Sequence, residues 1–217
     1  LSTWSTNLSS VSTAYAPSVS CDGKDYLVVW QSGKAIVGRR VSGAGTILGS
    51  ANIKISADTV TTKIRPETAW SGKEHLVVWA DKQSTTGWDI RGRVISKAGT
   101  PTGTADLVIS DASGQQYLPS VASDNTDFMV VWADYRNSPS IPIIVGARVQ
   151  VTPSLKVSDP QGIPVATATF KYAHPHVAFG GGKYLVTWHH SKGGLSPVGA
   201  RVLTDGTVQD KTPFRIS

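Results

Sequence analysis

The stretch "DYLVVW" (25–30) returns as "EHLVVW" (74–79), "DFMVVW" (127–132) and "KYLVTW" (183–188). Each copy is an apolar run ending in tryptophan, and each tryptophan lies 13 residues after a proline: Pro17, Pro66, Pro119 and Pro175. Downstream comes a variable segment, then "GRRV", "RGRV", "GARV" and "GARV", ending at Val41, Val94, Val149 and Val202. A last segment reads "IKIS" (53–56), "LVIS" (107–110), a divergent "IPVA" (163–166) and "FRIS" (214–217). The prolines are 49, 53 and 56 residues apart, and the differences fall in the loops.

Each unit therefore holds four short β-rich segments separated by turn formers such as "CDGKD", "SGKE", "SDNTD" and "GGGK". The apolar runs do not alternate with polar residues, so these strands are expected to be covered on both faces. No helical period of useful length is present. Four strands per unit at a period near 50 is the pattern of propeller blades. The expected fold is all-β: a single-domain four-bladed β-propeller with four antiparallel strands per blade, at 17–56, 66–110, 119–166 and 175–217. A β-helix or a sandwich is the architectural alternative. Residues 1–16 read as a closing strand and linker, because "TNLSSVSTAYAP" (6–17) matches the phase of "VISDASGQQYLP" (108–119). Asn7 to Ser9 would then be an outer strand. The fourth unit already carries "FRIS", so that strand closes the ring, adds to an edge, or belongs to a longer array.

Composition narrows the function classes. At 217 residues, with 40% hydrophobic and 17% charged residues, the chain can bury a substantial core and is not disordered. No apolar run approaches the roughly 20 residues that span a bilayer, so no membrane insertion is expected. The start at Leu1 reads as a processed or excised product. The net charge is +6, but Arg40, Arg93, Arg148 and Arg201 recur at one repeat position, and without these four only +2 remains. With no concentrated basic patch, nucleic acid is not an expected partner. Cys21 stands alone, starts a turn, and reads as a small buried filler.

The four-unit count and blade-length period resemble hemopexin-type four-bladed propellers. The Tyr-Leu-Val-Val-Trp units also resemble repeats of secreted bacterial propellers, some of them lectins. The resemblance spans nearly the whole chain and is one of architecture; it implies an extracellular module that binds a glycan or protein ligand. No hemopexin signature carries over a haem-binding residue. A sialidase Asp-box also fails, since "SCDGKDYLVVW" (20–30) puts its glycine one place early. Trp88-Asp89 occurs once, in a loop, and is not a WD-repeat ending.

Repeated residues read first as scaffold. Trp30, Trp79, Trp132 and Trp188 are expected to wedge between blades, with one sugar platform per blade as the sharper alternative. Asp25, Glu74 and Asp127 share a turn position and could pair with the repeated arginines. Positions where the repeat breaks are more informative. One residue after the prolines stand Ser18, Glu67, Ser120 and His176. If the innermost strand lines a channel, Glu67 and His176 face each other across its axis and could hold a cation such as calcium or sodium. Two residues after the tryptophans stand Ser32, Asp81, Asp134 and His190, a second polar ring. A solvated channel wall is the plain alternative for both.

The variable segment before the Arg-Val strand is longest in the second and third units. There Trp88, Asp89, Tyr135, Arg136 and Asn137 have no repeat equivalents, and an aromatic ring beside polar neighbours suits a sugar. No phosphate loop, Gly-x-Ser-x-Gly or metalloprotease motif is present. The leading expectation is thus a non-catalytic, glycan-binding extracellular module. A protein-interaction or structural propeller with a channel cation is one alternative. An enzyme with a polar central site around Glu67, Asp81, Asp134, His176 and His190 is the other.

Overall fold

The computed structural model describes residues 14–167, 173–190 and 196–217. Among them there is no helix, and the strands form four antiparallel sheets in chain order, one per repeat unit. The first blade is β1 (Ala14–Cys21), β2 (Asp25–Ser32), β3 (Ala35–Ser42) and β4 (Ile47–Lys54). The second is β5 (Lys63–Trp70), β6 (Glu74–Lys82), β7 (Trp88–Ser96) and β8 (Leu107–Ser110). In the third, β9 (Gln116–Ser123), β10 (Phe128–Asp134) and β11 (Ile143–Gln150) are followed by an outer strand in two pieces. Those pieces are β12 (Lys156–Val157) and β13 (Ile163–Ala166), and both pair with β11. The fourth is β14 (His176–Gly180), β15 (Lys183–His190), β16 (Ser196–Leu203) and β17 (Phe214–Arg215).

The four-bladed propeller reading holds, and the quoted runs are the second strands of the blades. Nothing in the fold marks it as hemopexin type. Asn7 to Ser9, read as a closing strand, lie outside the described residues.

Strand periodicity explains the core. Along each apolar run successive side chains point to opposite faces, and in the second and third blades both faces meet a blade. Leu27 and Val29 of the first blade pack with Val77 and Trp79 of the second. Leu76 and Val78 then meet Phe128, Val130 and Trp132 of the third. Met129 and Val131 in turn meet Tyr184, Val186 and Trp188 of the fourth. Trp79, Trp132 and Trp188 are thus buried at the three blade junctions, as the wedge reading expects.

Two further repeat features have physical causes. The glycine two or three residues before each closing valine, Gly38, Gly92, Gly146 or Gly199, stands where a Cβ would lie 2.8–3.3 Å from a second-strand carbonyl oxygen, that of Val28, Val77, Val130 or Val186. Only glycine lets the third strand come this close. Ala16, Arg65 and Leu118, each preceding a repeat proline, have φ of 50–57°, and the inner-strand register shifts at those sites. A proline at a bulge forfeits no ladder bond, because its missing N–H falls where pairing is already interrupted.

The arginines correct one expectation. Only Arg40 pairs with the turn acid, its Nη2 lying 2.9 Å from Asp25 Oδ2. Arg93, Arg148 and Arg201 pair with Asp106, Asp159 and Asp210, which follow the third strands of their own blades, Asp159 between the two pieces of the outer strand. Glu74 and Asp127 are not the partners, because the arginine stems run outward along the sheet toward the outer strand. Cys21 corrects another: it is exposed, on the same face of the first blade as Tyr26.

His75 occupies the core position that Phe128 and Tyr184 fill elsewhere. Its Nδ1 lies 2.7 Å from Ser20 Oγ, its ring packs 4.6 Å from Trp70, and burial pushes its pKa down to about 4. The folded chain therefore refuses a proton that the unfolded chain accepts below about pH 6.5. Stability from this group is fully present above that pH and is lost as pH falls toward 4, by at most about 3 kcal/mol. His75→Phe should flatten the fall of the urea midpoint between pH 6.5 and 4. Trp132→Ala should cost about 3–5 kcal/mol, read by urea denaturation at pH 7.

Candidate active site

The inner strands β1, β5, β9 and β14 pack on one another in succession and form the wall of the central channel. Ser18, Glu67, Ser120 and His176 lie at equivalent positions on that wall. Ser18 Oγ donates to Glu67 Oε2 at 2.9 Å, which ties the first blade to the second. Ser120 Oγ accepts from the backbone N–H of Val177 at 3.2 Å, which ties the third to the fourth. Glu67 is the only carboxylate of the four. Burial raises its pKa, opposed by the Ser18 hydrogen bond and by the charge of His176. The two residues singled out for the channel therefore act on each other electrostatically. No three His, Cys, Asp or Glu side chains converge among the described residues, so no ligand set can be named for a channel cation.

The second polar ring does not form a shared site. Asp81 and Asp134 are buried, and each is spent inside its own blade. Asp81 accepts from Thr61 Oγ1 at 2.5 Å and lies 3.5 Å from Lys63 Nζ. Asp134 accepts Trp132 Nε1 at 2.8 Å and is clasped by the Arg136 guanidinium, with Nη2 2.6 Å from Oδ2. Ser32 and His190 end β2 and β15 at the corresponding places. The chain folds this way because a carboxylate at the end of a buried strand needs a partner, and the nearest cation is local.

Lys63 was not legible as special. It is fully buried, with Nζ 3.0 Å from Asp58 Oδ1 and bonded to both Thr61 oxygens. In the first and third blades Ala14 and Gln116 stand at its position, and that departure from the repeat was the available signal. Beside it is a cleft of about 330 Å³ lined by Asp58, Asp81, Arg91 and Asp106.

The five loop residues separate into two groups. Trp88 and Tyr135, half-buried, are joined by a residue the sequence reading passed over: Tyr117. Its ring lies 5.6 Å from that of Trp88 and 6.0 Å from that of Tyr135. Gln115 Oε1 accepts from both Tyr117 OH and the Trp88 backbone N–H, each at 3.2 Å. Tyr117 follows Gln116 at the head of the inner strand, so the inner-strand bulge delivers it to the loop. Asp89 and Arg136 each have a partner within their own blade. Asp89 is buried with Oδ2 3.3 Å from Arg91 Nη2, and Arg136 is held by Asp134 and the Gln161 carbonyl. Asn137 is exposed.

No protein-family model matches the chain, and no curated protein sequence matches it. Its likenesses are to solved structures of GH43 and GH62 glycoside hydrolases of the five-bladed β-propeller type. One is the α-L-arabinofuranosidase from Podospora anserina in complex with cellotriose, at 12% identity and TM-score 0.54, with 90% of this chain and 66% of that one covered. The GH43 endo-arabinanase from Bacillus licheniformis gives 9% identity and TM-score 0.55, covering 94% and 79%. An exo-β-1,3-galactanase from Phanerochaete chrysosporium, with β-1,3-galactotriose, gives 13% and 0.57, covering 94% and 50%. The chain thus spans from half to about four fifths of the length of these enzymes. At such identities the likeness is one of fold. It nonetheless overturns the non-catalytic binding module as the leading expectation, since these solved structures are of glycoside hydrolases.

A raised carboxylate pKa penalises the folded state once the group ionises. The penalty is absent below the usual Glu range and complete above the raised folded value. Glu67→Gln, which can still accept from Ser18, should therefore melt higher than the parent at pH 7 and approach it at pH 4, by calorimetry at both pH values.

Proposed function

We propose that this chain is a carbohydrate-active enzyme module that hydrolyses a glycosidic bond at the mouth of its central channel. The observation that carries the reading is Glu67: the one carboxylate of the inner strands among the described residues, half-buried, with its pKa raised and the His176 imidazole close enough to act on it. Glycoside hydrolysis needs a carboxylic acid that is still protonated at working pH to give its proton to the leaving oxygen. Glu67 serves as that donor. His176, exposed on β14, acts in its neutral form, taking the proton from the water whose oxygen adds to the anomeric carbon. The Trp88, Tyr117 and Tyr135 cluster is the stacking platform for a sugar ring, because aromatic faces cover apolar sugar faces while leaving hydroxyls to polar groups.

The substrate class is a neutral polysaccharide or oligosaccharide. The enzymes that share the fold are named for arabinan-, galactan- and xylan-type glycans, and work outside the cell is the setting that suits such polymers. The test is reducing-end release from an arabinan, galactan and xylan panel. Parent turnover should fall at least about 100-fold in Glu67→Gln, with the folded state intact by circular dichroism. Trp88→Ala with Tyr117→Ala should raise KM and leave kcat within a few-fold. Parent protein inert across the panel at high enzyme concentration, or full activity in Glu67→Gln, would sink the proposal.

A further inference from the structure

The blade junctions repeat one interface three times, and the two end blades leave part of it exposed, although Trp30 on the outer face of the first blade is 3% exposed. Tyr26 of the first blade is 41% exposed, whereas its equivalents His75, Phe128 and Tyr184 are 3%, 0% and 1% exposed beneath the preceding blade. On the far side of the fourth blade, Leu185 is 38% exposed, against 1%, 0% and 0% for Leu27, Leu76 and Met129. Ile216 repeats the pattern at 50%, against 0%, 2% and 5% for Ile55, Ile109 and Val165. Packing of inner strands runs from β1 to β5 to β9 to β14, and no contact of comparable extent joins β14 back to β1. Exposed faces of this size and chemistry mark interaction surfaces.

We infer that the exposed junction faces of the fourth and first blades form a socket for a fifth blade of this same repeat. Such a blade offers an aromatic-x-Val-x-Trp face to Leu185 and a Leu-x-Val face to Tyr26, the pairing already made at all three internal junctions. The curvature supports one blade rather than more. Four blades of this chain overlay five-bladed-like propellers over 90–94% of its length, and a ring of that kind has place for one blade more. A second copy of the chain would bring three further blades that this one place does not admit. The inference rests on packing and is independent of the catalytic reading.

Cys21 is a built-in reporter, because it is exposed on the Tyr26 face. The equivalents in the second and fourth blades, Trp70 and Phe179, pack against His75 and Tyr184 at the junction face. Three chains are compared: the parent, a chain with a copy of residues 57–110 appended after Ser217, and a chain with a Gly/Ser tail of equal length. A fourth, carrying residues 111–166 instead, guards against one appended blade failing to fold. The Cys21 thiol should react with a disulfide reagent at least about tenfold more slowly in a five-blade chain than in the parent or the tailed chain. The melting temperature should rise by roughly 5 °C or more. Replacing the appended tryptophan that copies Trp79 by alanine should reverse most of the protection. Unchanged Cys21 reactivity in both five-blade chains, or insolubility of both, would overturn the inference. So would a parent that already protects Cys21 through concentration-dependent self-association, seen by sedimentation, since the occupant would then be a second copy.

Discussion

Everything in this molecule depends on the face-to-face packing of one blade on the next. A four-stranded sheet of this size has two apolar faces and cannot bury either alone. The second strands carry aromatic, valine and tryptophan side chains on one face, and leucine or methionine followed by valine on the other. Each junction therefore joins unlike faces, which fixes the order and direction of stacking. The three junction tryptophans do more of this than any other residue, since a buried indole removes on the order of 200 Å² from water. The glycine on each third strand and the bulge at each inner-strand proline let the sheets approach and twist enough for these faces to meet.

Much of the fold could be read from the sequence because repetition multiplies a weak signal. One Leu-Val-Val-Trp run could be a buried strand or part of a helix, but four of them at fixed distances from a proline leave little choice. The ion pairs were less legible. Arg40 meets Asp25, as the turn position suggests, but the other repeated arginines reach acids 9–13 residues downstream. Those aspartates lie in segments whose lengths differ between blades, so alignment on the tryptophan scatters them. Cys21 was misjudged for a related reason: its place in the repeat is a junction position, and the first blade has no described blade before it.

The site was half legible. Glu67 and His176 stood out as departures from the repeat, and both lie on the channel wall. Asp81 and Asp134 departed from Ser32 in the same manner, yet they serve local ion pairs. Nothing in the one-dimensional pattern separates a carboxylate that faces a channel from one that answers a buried Lys63 or Arg136. Tyr117 was invisible because it sits at the head of an inner strand, and only the fold brings it between two loop aromatics.

The Arg–Asp clasps have a consequence for how the chain behaves as a material. Each of the four ion pairs joins residues of a single blade, while polar ties between blades are few, such as Ser18 to Glu67, Ser120 to Val177 and Lys97 to Asp22. Cohesion between units rests mainly on apolar contact. Such a molecule is close to a one-dimensional stack, in which every unit has its own stability and a coupling only to its neighbours. The second and third blades have two couplings each, and the outer two have one. Opening should then begin at the ends and move inward, giving a gradient of amide protection along the chain in place of a single cooperative value.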